Sequence, residues 1–492
     1  VSRQRRIVWL GIIAINSLLT SSTSLANSLE SITSVQQLKK LETIDPNYQD
    51  IQYLARRYNC LTNFRDSNNT KAVTRYQLAI AISNCWQKLE NSKDFQDVVI
   101  WRQLKQNFAL ELSQLSNKVN QVEADLAQLE SQQFSTTTKV QGQVLFFIAD
   151  SFSTSDDSEA FTGYRTRLDF NTSFTGQDQL QVRFESRDIG RLDDVTDTPL
   201  TRLSVDGSTE STVEIGELSY SFTPREGTIV VLGTSGVGLN DIGEVLNPFS
   251  SSSKGALSRF GRRNPATLRG SGGAGFGIIQ EFNNQMSASF GYLIDNESAA
   301  SPEAGRGIFD SSFSAISQFV IEPQESLTFA LTYTHTYQLG DDVNLMGSTG
   351  SEDSNEPFED NATTSDNFGL QVNWELTSNI EIGGWFGYSQ ANQQEGGNER
   401  ATILNGALTF AVSDLFAEGN RGGIIIGVPP TISGHDDSSL IAESTPLHIE
   451  ALYQMELSDR IEITPGAFAI INPDTDDGNT IWVTTVRTLF SF

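Results

Sequence analysis

The sequence is short of cysteine, histidine, basic residues and long apolar runs. It has two cysteines and three histidines, His335, His435 and His448, and no metal or catalytic constellation stands out around them. No cofactor and no enzyme activity are expected. Only 33 Lys and Arg stand against 61 Asp and Glu, a formal net charge of −28. Such a chain lacks the basic faces that nucleic-acid binding requires. No stretch beyond the first residues approaches the roughly 20 apolar residues of a membrane-spanning helix. Any part held in a membrane must then be a closed β-barrel, in which strands satisfy each other's backbone groups. A hydrophobic content of 38% is compatible with that, because only alternate barrel residues face lipid.

What is present changes character along the chain. Arg3, Arg5 and Arg6 precede a short apolar run, Ile7 to Leu19. Ser24-Leu25-Ala26 then places small residues at the −3 and −1 positions of a cleavage site, so residues 1–26 read as a signal peptide. Residues 27–93 read as a small helical domain, with helical patterns around Tyr48–Tyr58 and Arg75–Leu89. Residues 94–134 carry Trp101, Leu104, Phe108, Leu112, Leu115, Val119, Val122, Leu126 and Leu129. From Phe108 onward their steps alternate between four and three. One stutter falls before Phe108. A coiled-coil linker helix is predicted; the alternative is an amphipathic helix on a globular core.

From residue 135 the period becomes two. In Tyr164–Phe174, Tyr164, Thr166, Leu168, Phe170, Thr172 and Phe174 share one face, and Arg165, Arg167, Asp169, Asn171 and Ser173 the other. The next run repeats the pattern, with Arg183, Glu185 and Arg187 on its polar face. Charges of both signs on adjacent polar faces suit a water-filled lumen, where they pair across strands. Such runs recur sixteen times, and their connections alternate between short turns and long polar loops. The chain closes on an alternating run ending in Phe490-Ser491-Phe492. The expectation is a mainly β chain with a 16-stranded antiparallel transmembrane β-barrel over residues 135–492. His335 falls on an alternating face with Leu331, Tyr333 and Tyr337, which suits an interfacial barrel residue.

At this point the chain resembles a known family. The cyanobacterial outer-membrane porins join an S-layer-homology (SLH) domain to a carbohydrate-selective porin (OprB-like) barrel, and are often labelled iron-uptake porins. The resemblance rests on three stretches. One is Tyr58-Asn59-Cys60 with Thr74-Arg75-Tyr76-Gln77-Leu78-Ala79 and Cys85; Gln77 stands where the family usually has Glu. The second is Glu214–Tyr220. The third is Gly236–Asp241 with Leu246–Phe249 and Ser258–Pro265. The resemblance implies a homotrimeric channel in outer-membrane lipid for small hydrophilic solutes: inorganic ions including iron, and carbohydrates. It also implies a periplasmic N-terminal domain that binds peptidoglycan-linked polysaccharide through Thr74, Arg75 and Tyr76. Arg suits an anionic glycan because its planar fork pairs with a carboxylate; the alternative is a salt-bridge Arg at a helix start capped by Thr74. In an oxidising periplasm Cys60 and Cys85 are expected to form a disulfide, the alternative being two buried thiols. A structural tether between membrane and wall, with conduction secondary, is the second functional reading.

One stretch between two good strands, Gly233–Arg269, loses the alternation and is too long for a plain turn. Porins commonly fold one such loop into the lumen to narrow it; the alternative is an exterior loop that packs on its neighbours. Folded inward, the loop Leu239–Leu268 would bring Arg259, Arg262 and Arg263, with Arg269 just after it, to Asp241 and Glu244, beside the wall residues Arg165, Arg167, Arg183 and Arg187. Residues 1–134 hold 15 basic and 12 acidic residues, which leaves 18 and 49 in the barrel segment, a net of −31. That acidity predicts cation preference, opposed locally by the arginines.

Overall fold

The computed structural model describes residues 40–41, 45–58, 60, 73–89, 94–118, 121, 137–153, 158–442, 444–473 and 479–492. The signal-peptide reading and the heptad positions Val119, Val122, Leu126 and Leu129 lie outside them. The chain divides into two compact units between Gln132 and Gln133.

The first unit is built on helices α1 (Pro46–Tyr58), α2 (Arg75–Leu89) and α3 (Phe95–Asn107). Each start is marked by a side chain that takes up otherwise orphaned N–H groups. Asp45 accepts from Asn47 N (2.8 Å), and Asp94 from Gln96 N (3.0 Å). Thr74 and Gln77 form a reciprocal capping box: Gln77 N donates to Thr74 Oγ1 (3.2 Å) and Thr74 N to Gln77 Oε1 (3.0 Å). Gln77 thus does at this cap what a Glu would do. The apolar faces of α1 and α2 meet through Ile51, Leu54, Leu78 and Ile82. Leu104 and Phe108, both fully buried, complete the same core. This corrects the boundary expected at residue 93: the first positions of the predicted coiled coil belong to the globular unit. Phe108 ends α3 with φ −113° and ψ 17°, and helix resumes over residues 109–118. The break falls at the stutter.

The second unit is a closed barrel. Its strands are β1 (Thr137–Phe152), β2 (Phe161–Ser173), β3 (Asp178–Ile189), β4 (Glu214–Arg225), β5 (Thr228–Val237), β6 (Gly273–Asn283), β7 (Met286–Asp295) and β8 (Phe313–Gln324). They continue as β9 (Leu327–Gln338), β10 (Thr363–Thr377), β11 (Ile380–Gln393), β12 (Arg400–Ser413), β13 (Arg421–His435), β14 (Leu447–Ser458), β15 (Ile461–Ile471) and β16 (Thr480–Ser491). Each pairs antiparallel with its chain neighbour, and β16 closes on β1 through pairs such as Thr485↔Ala149. A two-residue strand, Gly207–Ser208, adds to the end of β3.

Alternation sorts side chains between lumen and lipid. On β1, Leu145 and Phe147 are 1% exposed on the inside, whereas Phe146 and Ile148 are 53% and 56% exposed on the outside. Outer aromatics gather at the two rims: Phe170 against Phe184 and Tyr220 against Phe222 at the short-turn end, Tyr292 against Phe313 and Tyr333 against Phe368 at the other. Such rings mark the interfaces of a membrane barrel. His335 lies on this outer face, its Nδ1 2.9 Å from Asp366. The β13–β14 ladder stops at Gly427↔His448, although β13 stays paired with β12 as far as His435. Pro429 and Pro430 sit just beyond that stop, where no β14 partner demands their missing N–H.

Candidate pore constriction

The connection between β5 and β6, residues 238–272, is the longest of the barrel and is built from small local pieces. Asp241 accepts from Gly238 N (2.7 Å) and closes a turn at Leu239–Asp241. Asn264 caps a short helix, Pro265–Leu268, by accepting from Ala266 N (3.2 Å). A series of apolar residues, Leu239, Ile242, Leu246, Phe249, Leu257, Phe260 and Leu268, is buried. They pack on inward residues of the wall, Leu293 and Ile316 at one place and Ile425, Leu452 and Phe468 at another. Gly277 and Gly291 explain the close seat of Ile242: a Cβ on either would run into its side chain.

Hydrogen bonds fix the loop to opposite sides of the barrel. Toward β8–β11, Glu244 N donates to Gln318 (2.6 Å), Leu246 N to Gln371 (3.1 Å), and Asn264 Nδ2 to the Phe386 carbonyl (3.0 Å). Toward β13, β14, β16 and β2, Arg421 donates to the Pro248 carbonyl (3.3 Å). Glu450 accepts from Leu257 N (2.5 Å), Arg487 donates to the Gly255 carbonyl (2.7 Å), and Arg165 to Ser253 Oγ (2.7 Å). A loop tied to both walls crosses the lumen between them.

The wall arginines form an ordered ladder. Arg167 pairs with Glu185 and donates to Ser252 Oγ (3.2 Å) of the loop. Arg183 bridges Asp169 (2.7 Å) and Glu217 (2.9 Å). Arg187 reaches Glu185 (3.4 Å) and the Asp206 carbonyl (3.0 Å). The loop arginines behave differently. Arg259 donates to the Gly347 carbonyl (2.8 Å), Arg262 to the Ser250 carbonyl (3.0 Å), Arg263 to Asn240 Oδ1 and Arg269 to the Arg259 carbonyl. The expected meeting with Asp241 and Glu244 does not form ion pairs. Asp241 is held by its own turn, and Glu244 meets the wall through its backbone. Among the described residues no carboxylate lies within salt-bridge distance of Arg165, Arg259, Arg262, Arg263, Arg269 or Arg487.

Two parts of this site had no place in the sequence reading. The long connection after β3 turns inward: Leu200, Leu203 and Val205 are buried, and Arg202 and Asp206 form a two-bond pair (2.7 and 2.8 Å). Ser204 N donates to the Leu257 carbonyl (2.7 Å) and Arg259 N to the Arg202 carbonyl (2.8 Å), joining this connection to the constriction loop. Three apolar residues within seven positions of a polar loop were the available signal. The second is a buried group, Ser258, His448 and Glu450. Glu450 Oε2 and Ser258 Oγ both face His448 Nε2, at 3.2 and 3.3 Å. A hydrolytic triad needs the acid on the other ring nitrogen, so this group does structural work.

Toward the loop end, a cavity of about 440 Å³ is lined by Arg191, Asp193, Asp197, Asn344, Glu352 and Glu356 among others. Burial, with Glu352 and Asp360 nearby, raises the pKa of Glu356. The mouth here is acidic where the constriction is basic.

In the first unit, Cys60 and Cys85 form the disulfide, with Cα atoms 5.0 Å apart. Thr74 caps α2. Arg75 Nε and Nη2 contact the Glu111 carboxylate at 2.5 and 3.3 Å, Nη2 donates to the Asn107 carbonyl (2.7 Å), and the guanidinium lies over the Phe108 ring. The salt-bridge alternative is thus realised for Arg75. Tyr76 is half-buried beside Lys118.

A family model described as "Carbohydrate-selective porin, OprB family" matches residues 100–492. An uncharacterized protein of Synechocystis sp. is 30% identical over 96% of this chain and 93% of its own length. One of Nostoc sp. is 28% identical over 96% of this chain and 87% of its own. Among solved structures, OprB of Pseudomonas putida superposes with a TM-score of 0.52 at 12% identity, covering 72% of this chain and 94% of that one.

Proposed function

Starting from the chain's membership of the carbohydrate-selective porin, OprB family, which makes it an outer-membrane porin and not an enzyme, we propose that it passes small hydrophilic solutes by diffusion through a constriction built by residues 238–272. The observation that carries this reading is the loop's attachment to both sides of the lumen. The solutes are inorganic ions, iron among them, and small carbohydrates. The functional unit is a homotrimer whose first unit, in the periplasm, holds peptidoglycan-linked polysaccharide.

Charge at the narrowest part governs selectivity more than charge at the mouth. The acidic loops are screened within about 8 Å at physiological salt, whereas an ion in the constriction passes the loop arginines, which no carboxylate among the described residues pairs. This reverses the cation preference expected from the net charge: the channel leans toward anions. Iron then crosses as a neutral or anionic complex. Anchoring falls to Tyr76 more than to Arg75, whose fork is committed to Glu111.

Single-channel recording in planar bilayers tests the proposal, with liposome swelling to rank sugars. Stepwise conductance and anion-leaning zero-current potentials are expected. A folded barrel that stays silent would favour the tether reading. Clear cation preference would overturn the account of selectivity.

A further inference from the structure

The constriction loop is anchored by neutral amides on one side and on the other by charged side chains, Arg165, Arg167, Arg421, Glu450 and Arg487. Two of these act on one turn. Arg487 of β16 and Glu450 of β14 are 1% and 0% exposed, on strands separated by β15. Neither is within salt-bridge distance of the other. Both close on the same few residues of loop backbone. The Arg487 guanidinium faces carbonyls: Gly255 at 2.7 Å, Ser252 at 3.4 Å and Ala256 at 3.5 Å. The Glu450 carboxylate faces donors: Leu257 N at 2.5 Å, Ser258 Oγ at 2.5 Å and Ser258 N at 3.3 Å. A cation thus holds one side of a single turn and an anion the other.

We propose that Glu450 and Arg487 are positioning residues that clamp residues 252–258 at a fixed height above the wall and so set the width of the pore. This rests on the reading of residues 238–272 as the constriction. Burying these two charges apart from each other, with His448 Nε2 at 3.2 Å from Glu450, is expensive, and an apolar pair of similar volume would give a more stable core. The arrangement makes sense where the place of the turn matters more than the stability of the wall. The surroundings leave the turn no second seat. His448, which touches both Glu450 and Ser258, lies between Phe260 and Phe468 with ring centroids 5.3 and 5.2 Å away. A Cβ at Gly261 would come within 3.0 Å of Glu450 Oε2. The inward connection after β3 lies on the same turn through Ser204, so a shift would be felt by both loops.

The test uses the full chain in planar bilayers, with the heat-dependent gel shift of the barrel as the check on folding. Glu450→Ala and Arg487→Met should each raise single-channel conductance by about twofold or more and increase open-channel noise, because the constriction dominates resistance. The double variant should add little to either single one, since both act on one turn. Larger sugars should enter in liposome swelling. Unchanged conductance and noise in folded variants would overturn the clamp. Should the wall variants fail to fold, Ser258→Ala removes one contact from the loop side only; raised noise supports the clamp and unchanged noise refutes it. A wild-type chain that does not conduct would overturn the channel reading itself, and the clamp with it.

Discussion

Arg262 and Arg263 are the place to test how the constriction sorts ions. Their side chains donate to the Ser250 carbonyl and to Asn240, both inside the loop. Replacing both by Ala therefore leaves the loop's anchors to the wall intact. A unit charge about 6 Å from a passing ion, at an effective dielectric constant of about 40 to 80, contributes about 0.7 to 1.4 kcal/mol. Screening over a Debye length of about 8 Å roughly halves this. Two charges then give about 0.7 to 1.4 kcal/mol together for each ion, of opposite sign for cation and anion, a shift of roughly tenfold to a hundredfold in the cation-to-anion permeability ratio. Zero-current potentials in a salt gradient measure that ratio, and single-channel conductance should rise as bulk is removed. The double replacement Glu352→Gln and Asp353→Asn, exposed residues of the connection after β9, is the control and should do much less. If the arginine pair is silent in both conductance and potential while the barrel stays folded, the loop does not line the path and the wall ladder sets selectivity.

Further outcomes are expected elsewhere. Phe249→Ala removes a fully buried ring between loop and wall, costing about 3 to 5 kcal/mol of packing; noisier open channels should appear without loss of the barrel. Replacing Cys60 and Cys85 by Ala opens a link between residues 25 apart, worth about 3 kcal/mol, and should speed proteolysis of the first unit while leaving conductance unchanged. The Glu111 carboxyl is raised by burial but lowered further by the Arg75 fork, so its net pKa is lowered when folded. Its contribution is therefore complete above the ordinary carboxylate value and lost as pH falls through the lowered one. Acid titration of the Trp101 fluorescence should show that loss, and Glu111→Gln should abolish it.

Much of this architecture was legible because strand period, turn length and loop length are local properties. The sixteen runs read from alternation agree with the strands to within a few residues, except at β13. There the strand runs through Pro429-Pro430 to His435, because proline is tolerated where the ladder on one side has stopped. The constriction loop was visible as a loss of alternation. Its partners were not, since Glu450 and Arg487 lie about 200 residues further along the chain and nothing local marks an inward charge as an anchor. The inward turn after β3 was hidden for a similar reason: a few apolar residues in a polar loop acquire meaning only against Leu257 and Phe260. Heptad spacing misplaced Leu104 and Phe108 because a coiled-coil seam and a helix on a small core share the same spacing.

The bonds that hold the constriction loop impose an order of events on the chain. Gly255 and Arg487 are 232 residues apart, and Leu257 and Glu450 are 193 apart. The last of these partners arrives only with β16, the strand that meets β1. Contacts so distant in sequence are slow to form and cannot guide the early steps. Leu239, Ile242 and Leu268 find their cover on β7 and β8, which follow the loop directly, whereas Phe249, Leu257 and Phe260 wait for Ile425, Leu452 and Phe468 of the last strands. The turn that Glu450 and Arg487 hold is therefore the last part of the constriction to be fixed.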